Sequence, residues 1–189
     1  MSSGTIHSVP QFDAPHVQTF CTEISSADQP LRVICQPQFD QSVNDCFSIV
    51  ARQVSSHGGS MAIGWAIWEW PGVFIEAEFH AVWASPEAML VDLNPRTMFV
   101  PEILFLSDPA RQYEGRSIDN IRKPLVRDND LIRYLFIFRR QFEILNKGDL
   151  AYQYGEISLL PGALKEYQSL QKEGARLERR LQNRYSARA

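Results

Sequence analysis

The 189-residue sequence predicts an α+β fold in which a cysteine-bearing helix packs on an antiparallel β-sheet, with two further helices at the C-terminal end. Three observations predict it. Strand-like runs from Met61 to Trp70, Val73 to Ala84 and Met89 to Asn94 follow one another across short turns, Pro71-Gly72 and Ser85-Pro86-Glu87-Ala88, which favours antiparallel neighbours. Apolar residues recur at helical spacing on both sides of this block. Nothing in the chain alternates strand and helix as a parallel βαβ sheet requires.

Taken in order, residues 1–30 are rich in Ser, Thr, Gln, Asp and Pro and read as a flexible or loosely docked arm. Leu31 to Cys35 is a short strand, and Gln36 to Ser42 a loop. Asn44 and Asp45 are good N-cap residues, and Phe47, Val50, Ala51 and Val54 then mark one apolar helix face, so a helix is expected over about 45–56, ended by His57-Gly58-Gly59. After the three strands, Thr97 to Leu106 is a further strand candidate, and 107–130 reads as loop. Leu131, Leu135, Phe138, Phe142 and Leu145 predict a buried helix from Asn129 to Asn146, with Gly148 placed to end it. Leu164, Tyr167, Leu170, Leu177 and Leu181 predict a last helix to Arg184, which Gly174 weakens by about 1 kcal/mol relative to Ala. The domain division is an arm (1–30), a central domain (31–160) and an Arg-rich amphipathic helix (161–189).

The length and 44% hydrophobic content suit one domain with appendages. A net charge of −3 gives no global attraction to nucleic acid or anionic membrane, and neither is expected as a partner. Three cysteines, widely spaced, make no disulfide framework. The N-terminus lacks the blocks of a secretory signal, and no apolar run approaches about 18 residues. A cytoplasmic chain is expected, with export by a route that uses no cleaved signal left open. The oligomeric state is not legible.

The chemistry gathers between Asn44 and Pro95. Cys46 falls in the first turn of its helix, where free N–H groups and the helix dipole favour a thiolate. If the second and third strands form a hairpin about Pro86, His80 lies directly across from Asp92, with Cβ atoms roughly 4.5–5.5 Å apart. A cysteine at a helix start with an Asp-oriented histidine is the pattern of nucleophilic thiol catalysis. Gln38, Gln41 and Asn44 are each candidates for an oxyanion donor beside the Cys46 N–H. His57 lies about 16 Å of helical rise from Cys46, too far to act as its base. Trp65, Trp68 and Trp70 either pack the sheet or line a substrate cleft. Glu76, Glu78 and His80 share a strand face, but their spacing of about 7 Å is wide for one ion, and no metal ligand is assigned.

The order of Cys46, His80 and Asp92 resembles the papain-like superfamily, especially its transglutaminase-like branch. There the His strand commonly reads His-Ala-Trp-Val-Glu and the Asp strand Val-Asp-Pro-Thr. Here they read His80-Ala81-Val82-Trp83 and Val91-Asp92-Leu93-Asn94-Pro95. No Trp follows Cys46, and the Trp after the histidine is displaced by one residue. The resemblance spans residues 44–95 and implies a cofactor-free thiol hydrolase or acyl transferase acting on protein or peptide amides, through a catalytic triad of Cys46, His80 and Asp92. A glutamine deamidase, a cysteine protease and a transglutaminase-like enzyme all fit, and by analogy so does an exported effector that modifies a host protein. The rival readings are a zinc-binding protein and a non-catalytic interaction module. The module would use the Trp-rich strand together with Arg176, Arg179, Arg180, Arg184 and Arg188.

Overall fold

A long β-hairpin forms the frame. A computed structural model of the chain describes residues 8–26, 28–39, 45–116, 118–153 and 157–185. In chain order the elements are α1 (Pro15–Ile24), β1 (Leu31–Cys35), α2 (Cys46–His57), β2 (Ser60–Trp70), β3 (Phe74–Ala84), β4 (Leu90–Asp92), β5 (Glu102–Ser107), β6 (Ile121–Pro124), α3 (Asn129–Leu145), a 3₁₀ turn (Gly148–Tyr152) and α4 (Pro161–Tyr185). The hairpin is β2 and β3, paired from Ser60 opposite Ala84 to Trp70 opposite Phe74. At its tip the Val73 N–H donates to the Trp70 carbonyl at 2.8 Å. Gly72, at φ 69°, takes the left-handed position that such a turn reserves for glycine.

The sheet is α+β in class as expected, but it closes. β2 pairs with β3 on one side and β5 on the other, and the order β2-β5-β1-β4-β3 completes a five-stranded barrel, with β6 added to β3 outside the ring. All pairings are antiparallel except β1 with β4, which run parallel. Closure is tightest at Gly64, which sits opposite both His80 and Ser107. A Cβ there would fall 2.1 Å from the Leu106 carbonyl oxygen and 2.8 Å from the Phe105 ring, so only glycine lets the strands approach. Val33, Ala66, Trp68, Val82, Ile103 and Phe105 fill the interior.

Helices cover the outside. α2 lays Val50 on Ala81 and Ile49 on Val91 and Leu93. α3 and α4 form a hairpin whose Leu131, Tyr134, Ile137, Leu170, Leu177 and Leu181 bury the turn end of the frame, Trp70, Val73 and Phe74. Among the described residues no helix is long and apolar enough to cross a membrane.

Several expectations are corrected. Part of the supposed arm is α1, which docks Val17, Phe20 and Cys21 against Trp65, Ile67 and Leu104. Those three residues carry the i, i+3, i+4 spacing of a buried face, and Pro15 opens the helix. β5 begins at Glu102, not Thr97, because Pro101 has no N–H to give a ladder and instead accepts from the Cys35 N–H. Within 107–130, β6 pairs with β3 as an edge strand, where Pro124 is tolerated. α3 is capped by Asn146, and Gly148 opens the 3₁₀ turn. The Arg-rich end of α4 is not a free surface throughout: Arg184 pairs with Asp128 and Asp130, and Arg180 with Asp130 at 2.8 Å. Arg188 lies outside the described residues.

Two stability measurements check this packing. Phe20→Ala should cost about 3 kcal/mol in urea unfolding, since it empties a filled site under α1; an unchanged midpoint would mean that α1 is not docked. Gly174→Ala should stabilise by up to about 1 kcal/mol, because the added Cβ meets Ile137 Cγ2 at 3.6 Å, an ordinary contact.

Candidate functional site

The site occupies a gap in the sheet. β6 pairs with β3 over residues 74–77 and β4 over residues 83–84, so 78–82 have no ladder partner on that edge. The packing of α2 brings its first residue, Cys46, to this opening. Asp45 stands at the N-cap position, as the sequence suggests, but its side chain caps no N–H. Cys46 is 7% exposed.

His80 points from β3 to the inner side and is 1% exposed. Its Nε2 lies 2.9 Å from Oδ1 of Asp92, which is fully buried. The contact is diagonal, not directly cross-strand. The ladder pairs Trp83 with Val91 and Ala84 with Leu90, centring the hairpin on Glu87 rather than Pro86. That register would set Asp92 against residue 82. A slip of two residues keeps side chains on their original face, so His80 and Asp92 still meet. The turn that sets the register holds Ala88 at φ 61°, which no residue type in Ser85-Pro86-Glu87-Ala88 announces.

Three further groups converge on Asp92. The Asn94 N–H donates to Oδ1 at 3.1 Å, Arg96 Nη2 lies 3.1 Å from Oδ2, and Cys35 Sγ sits 3.7 Å from Oδ2. Cys35 arrives there because β1 pairs in parallel with β4, Cys35 opposite Asp92. Burial alone would push the Asp92 carboxyl up, but His80, Arg96 and the Asn94 N–H outweigh it and hold the group below the usual carboxylate range. Burial also opposes a charged His80, yet the charges of Cys46 and Asp92 win, and its pKa is raised. Cys35 is pushed up to about 12, first by burial and then by the Asp92 carboxylate. It stays a thiol and donates.

With Nε2 turned to Asp92, the other ring nitrogen of His80 is left over. Nδ1 is buried and makes no hydrogen bond of normal geometry, while the Cys46 side chain lies close enough to favour the imidazolium. Beyond Asp92, Arg96 stacks over Trp68 at 5.1 Å, and the Trp68 indole donates to Glu78 Oε2 at 2.8 Å. Glu78 in turn lines a cleft of about 250 Å³ at the Cys46 end, with Asp45, Asn94 and the rings of Phe47, Phe79 and Tyr113.

The remaining sequence candidates are spread out. Gln38 gives its amide to Gln53 Oε1 at 2.8 Å, on the second turn of α2. Gln41 and Asn44 lie outside the described residues. None of the three tryptophans lines the cleft: Trp65 bonds Asp108 in the core under α1, Trp70 packs beneath α3 and α4, and Trp68 is inside the barrel. Glu76 is held by Arg122 at 2.5 Å. Among the described residues, no three His, Cys, Asp or Glu side chains are grouped to hold a metal ion. Sequence reasoning missed Cys35, Asn94 and Arg96. Only Arg96 left a trace, as a cation four residues beyond the aspartate.

Compared with known proteins, the chain matches no family model, no curated protein and no solved structure.

Proposed function

We propose that the protein is a thiol hydrolase or acyl transferase acting on amide groups of a protein or peptide, with Cys46 as nucleophile, His80 as acid and base, and Asp92 as the group that orients the imidazole. The observation that carries this reading is the division of the His80 ring. One nitrogen is fixed on a buried carboxylate at 2.9 Å, and the other makes no hydrogen bond of normal geometry, while the helix-start cysteine lies close enough to favour the imidazolium. Buried side-chain polar atoms are for the most part hydrogen-bonded, so an imidazole that keeps one nitrogen for a neighbouring thiol is arranged for proton transfer rather than for packing.

In the proposed reaction the Cys46 sulfur attacks the carbonyl carbon, and the carbonyl oxygen takes the displaced electron pair. The Cys46 N–H, in the first turn of its helix, has no intrahelical acceptor and is the donor assigned to that oxygen. His80 gives its proton to the leaving nitrogen as the C–N bond breaks, which leaves a thioester on Cys46. His80 then takes a proton from water or from an amine, whose attack on the thioester releases the product and restores the sulfur. Hydrolysis, deamidation and transfer differ only in the groups carried by the two nucleophiles and the leaving nitrogen. The alternative of an interaction module built on the tryptophans has less support, because all three indoles named for it are buried.

Thiol labelling tests the first half. Cys21 is pushed up to about 11 by burial and Cys35 to about 12, so both are slow internal standards. Iodoacetamide at mildly acid pH should modify Cys46 well ahead of either, and Cys46→Ala should abolish release of ammonia or amine from glutamine-containing peptides while the fold persists. Uniformly slow labelling of all three cysteines would sink the reading.

Asp92→Asn tests the second half. By NMR the His80 midpoint should lie above the ordinary value of about 6.5 and fall in the variant, with turnover reduced by as much as about 10⁴-fold. Because the folded value is the higher one, the charged His80 stabilises the fold fully below about pH 6.5 and loses that contribution as pH rises through the raised value. An unshifted midpoint in the variant would show that the two side chains do not interact.

A further inference from the structure

The charges around the cleft do not balance. Cys46 and His80 sum to zero wherever their proton resides, and Arg96 cancels Asp92 at 3.1 Å. Asp45 and Glu78 are left over, both in the cleft wall, and no lysine or arginine lines it among the described residues. The nearest basic side chain in the neighbouring strand, Arg122, is already committed to Glu76 at 2.5 Å and Asp119 at 3.0 Å. Glu78 uses only Oε2, on the Trp68 indole, and Asp45 caps nothing.

Asn94 supplies an independent sign of a missing ligand. It is 4% exposed and lines the same cleft, and its side-chain Oδ1 is buried without a partner. A buried acceptor left unmatched is unfavourable, and a donor from a bound molecule would relieve it. The walls favour the same kind of donor. Phe47 stacks on Tyr113 with centroids 3.8 Å apart and meets Phe79 at 5.1 Å, and aromatic faces attract cations. Two carboxylates, a buried amide oxygen and ring faces, with Asn120 as a further neutral polar lining residue, give the cleft an excess of negative charge and no cation of its own among the described residues.

We infer that this cleft binds a cationic side chain, so that the substrate is a protein segment in which lysine or arginine neighbours the attacked carbonyl. Glu78 is the counter-ion, Asp45 supports it, Asn94 accepts an N–H, and Phe47 with Tyr113 covers the alkyl stem. The inference rests on the thiol-enzyme reading, because it takes Cys46 as the point of attack.

The test uses the full chain and needs no known substrate. Cys46 is modified with two methanethiosulfonates of similar size, one bearing trimethylammonium and one sulfonate. Each rate, read by peptide mass, is normalised to the rate with a small free thiol. The cationic reagent should be favoured by at least about tenfold. Glu78→Gln, which keeps the acceptor for Trp68, should reduce that preference severalfold, and Asp45→Asn is the second variant should the first not fold. Nα-acetyl-argininamide should protect Cys46 from iodoacetamide, and the corresponding glutamate derivative should not. Rapid iodoacetamide labelling with equal normalised rates would overturn the cationic substrate and leave the thiol enzyme standing. A preference unchanged in both variants, without protection by the arginine derivative, would overturn this site as its origin. Slow reaction of Cys46 with every reagent would remove both readings.

Discussion

A carboxylate without access to water has to be matched by donors, and the matching of Asp92 draws this fold together. Desolvating an ionised group costs several kcal/mol, which good geometry and complete hydrogen bonding must offset. The offset comes from separate parts of the chain: hydrogen bonds from His80 of β3, Cys35 of β1 and the Asn94 N–H after β4, and the positive charge of Arg96, whose Nη2 lies 3.1 Å away without making a hydrogen bond. The parallel pairing of β1 with β4 and the diagonal across the hairpin are both needed to bring these groups to one point. Arg96 extends the arrangement through Trp68 to Glu78, so the barrel interior connects the buried carboxylate to the cleft wall.

Much of this was legible because it is local. The start of α2 at Cys46 was readable from the Asn44-Asp45 pair and one apolar stripe, although the Asp45 side chain caps no N–H, and β2 and β3 follow from the Pro71-Gly72 turn between two strand-like runs. The approach of His80 to Asp92 survived an incorrect register because the error was even; an odd one would have sent the aspartate to the outer face. What was illegible depends on distant partners. Barrel closure depends on β2 accepting β5 on its second edge, and no periodicity encodes that. Cys35 looked unremarkable until it stood opposite Asp92. α1 is a different case: Val17, Phe20 and Cys21 carried a readable pattern, obscured by the polar composition around them.

The C-terminal helices belong to the same assembly as the site. Arg133 pairs with Glu173 and Arg140 with Glu166, at 2.8 and 2.7 Å, so α4 is held along α3 at several points. These are exposed pairs, each worth little alone, and the apolar seam between the helices sets their stability. Asp128 caps α3 through the Asp130 and Leu131 N–H groups while accepting from Tyr185 near the end of α4. Phe142 of α3 reaches the cleft lining, which makes the hairpin one of its walls.

The barrel topology also sets when the site can exist. Cys46, His80 and Asp92 have all been synthesised before β5, yet β1 needs β5 at its other edge, with Leu31 opposite Phe105. β2 likewise waits for Leu106 before Gly64 can take its place against the neighbouring backbone. These are long-range pairings, whose loop-closure entropy must be met before their contacts contribute. A chain still emerging from the ribosome therefore holds Cys46, His80 and Asp92 without the ring that confines them, and the three come together only after β5 has been made.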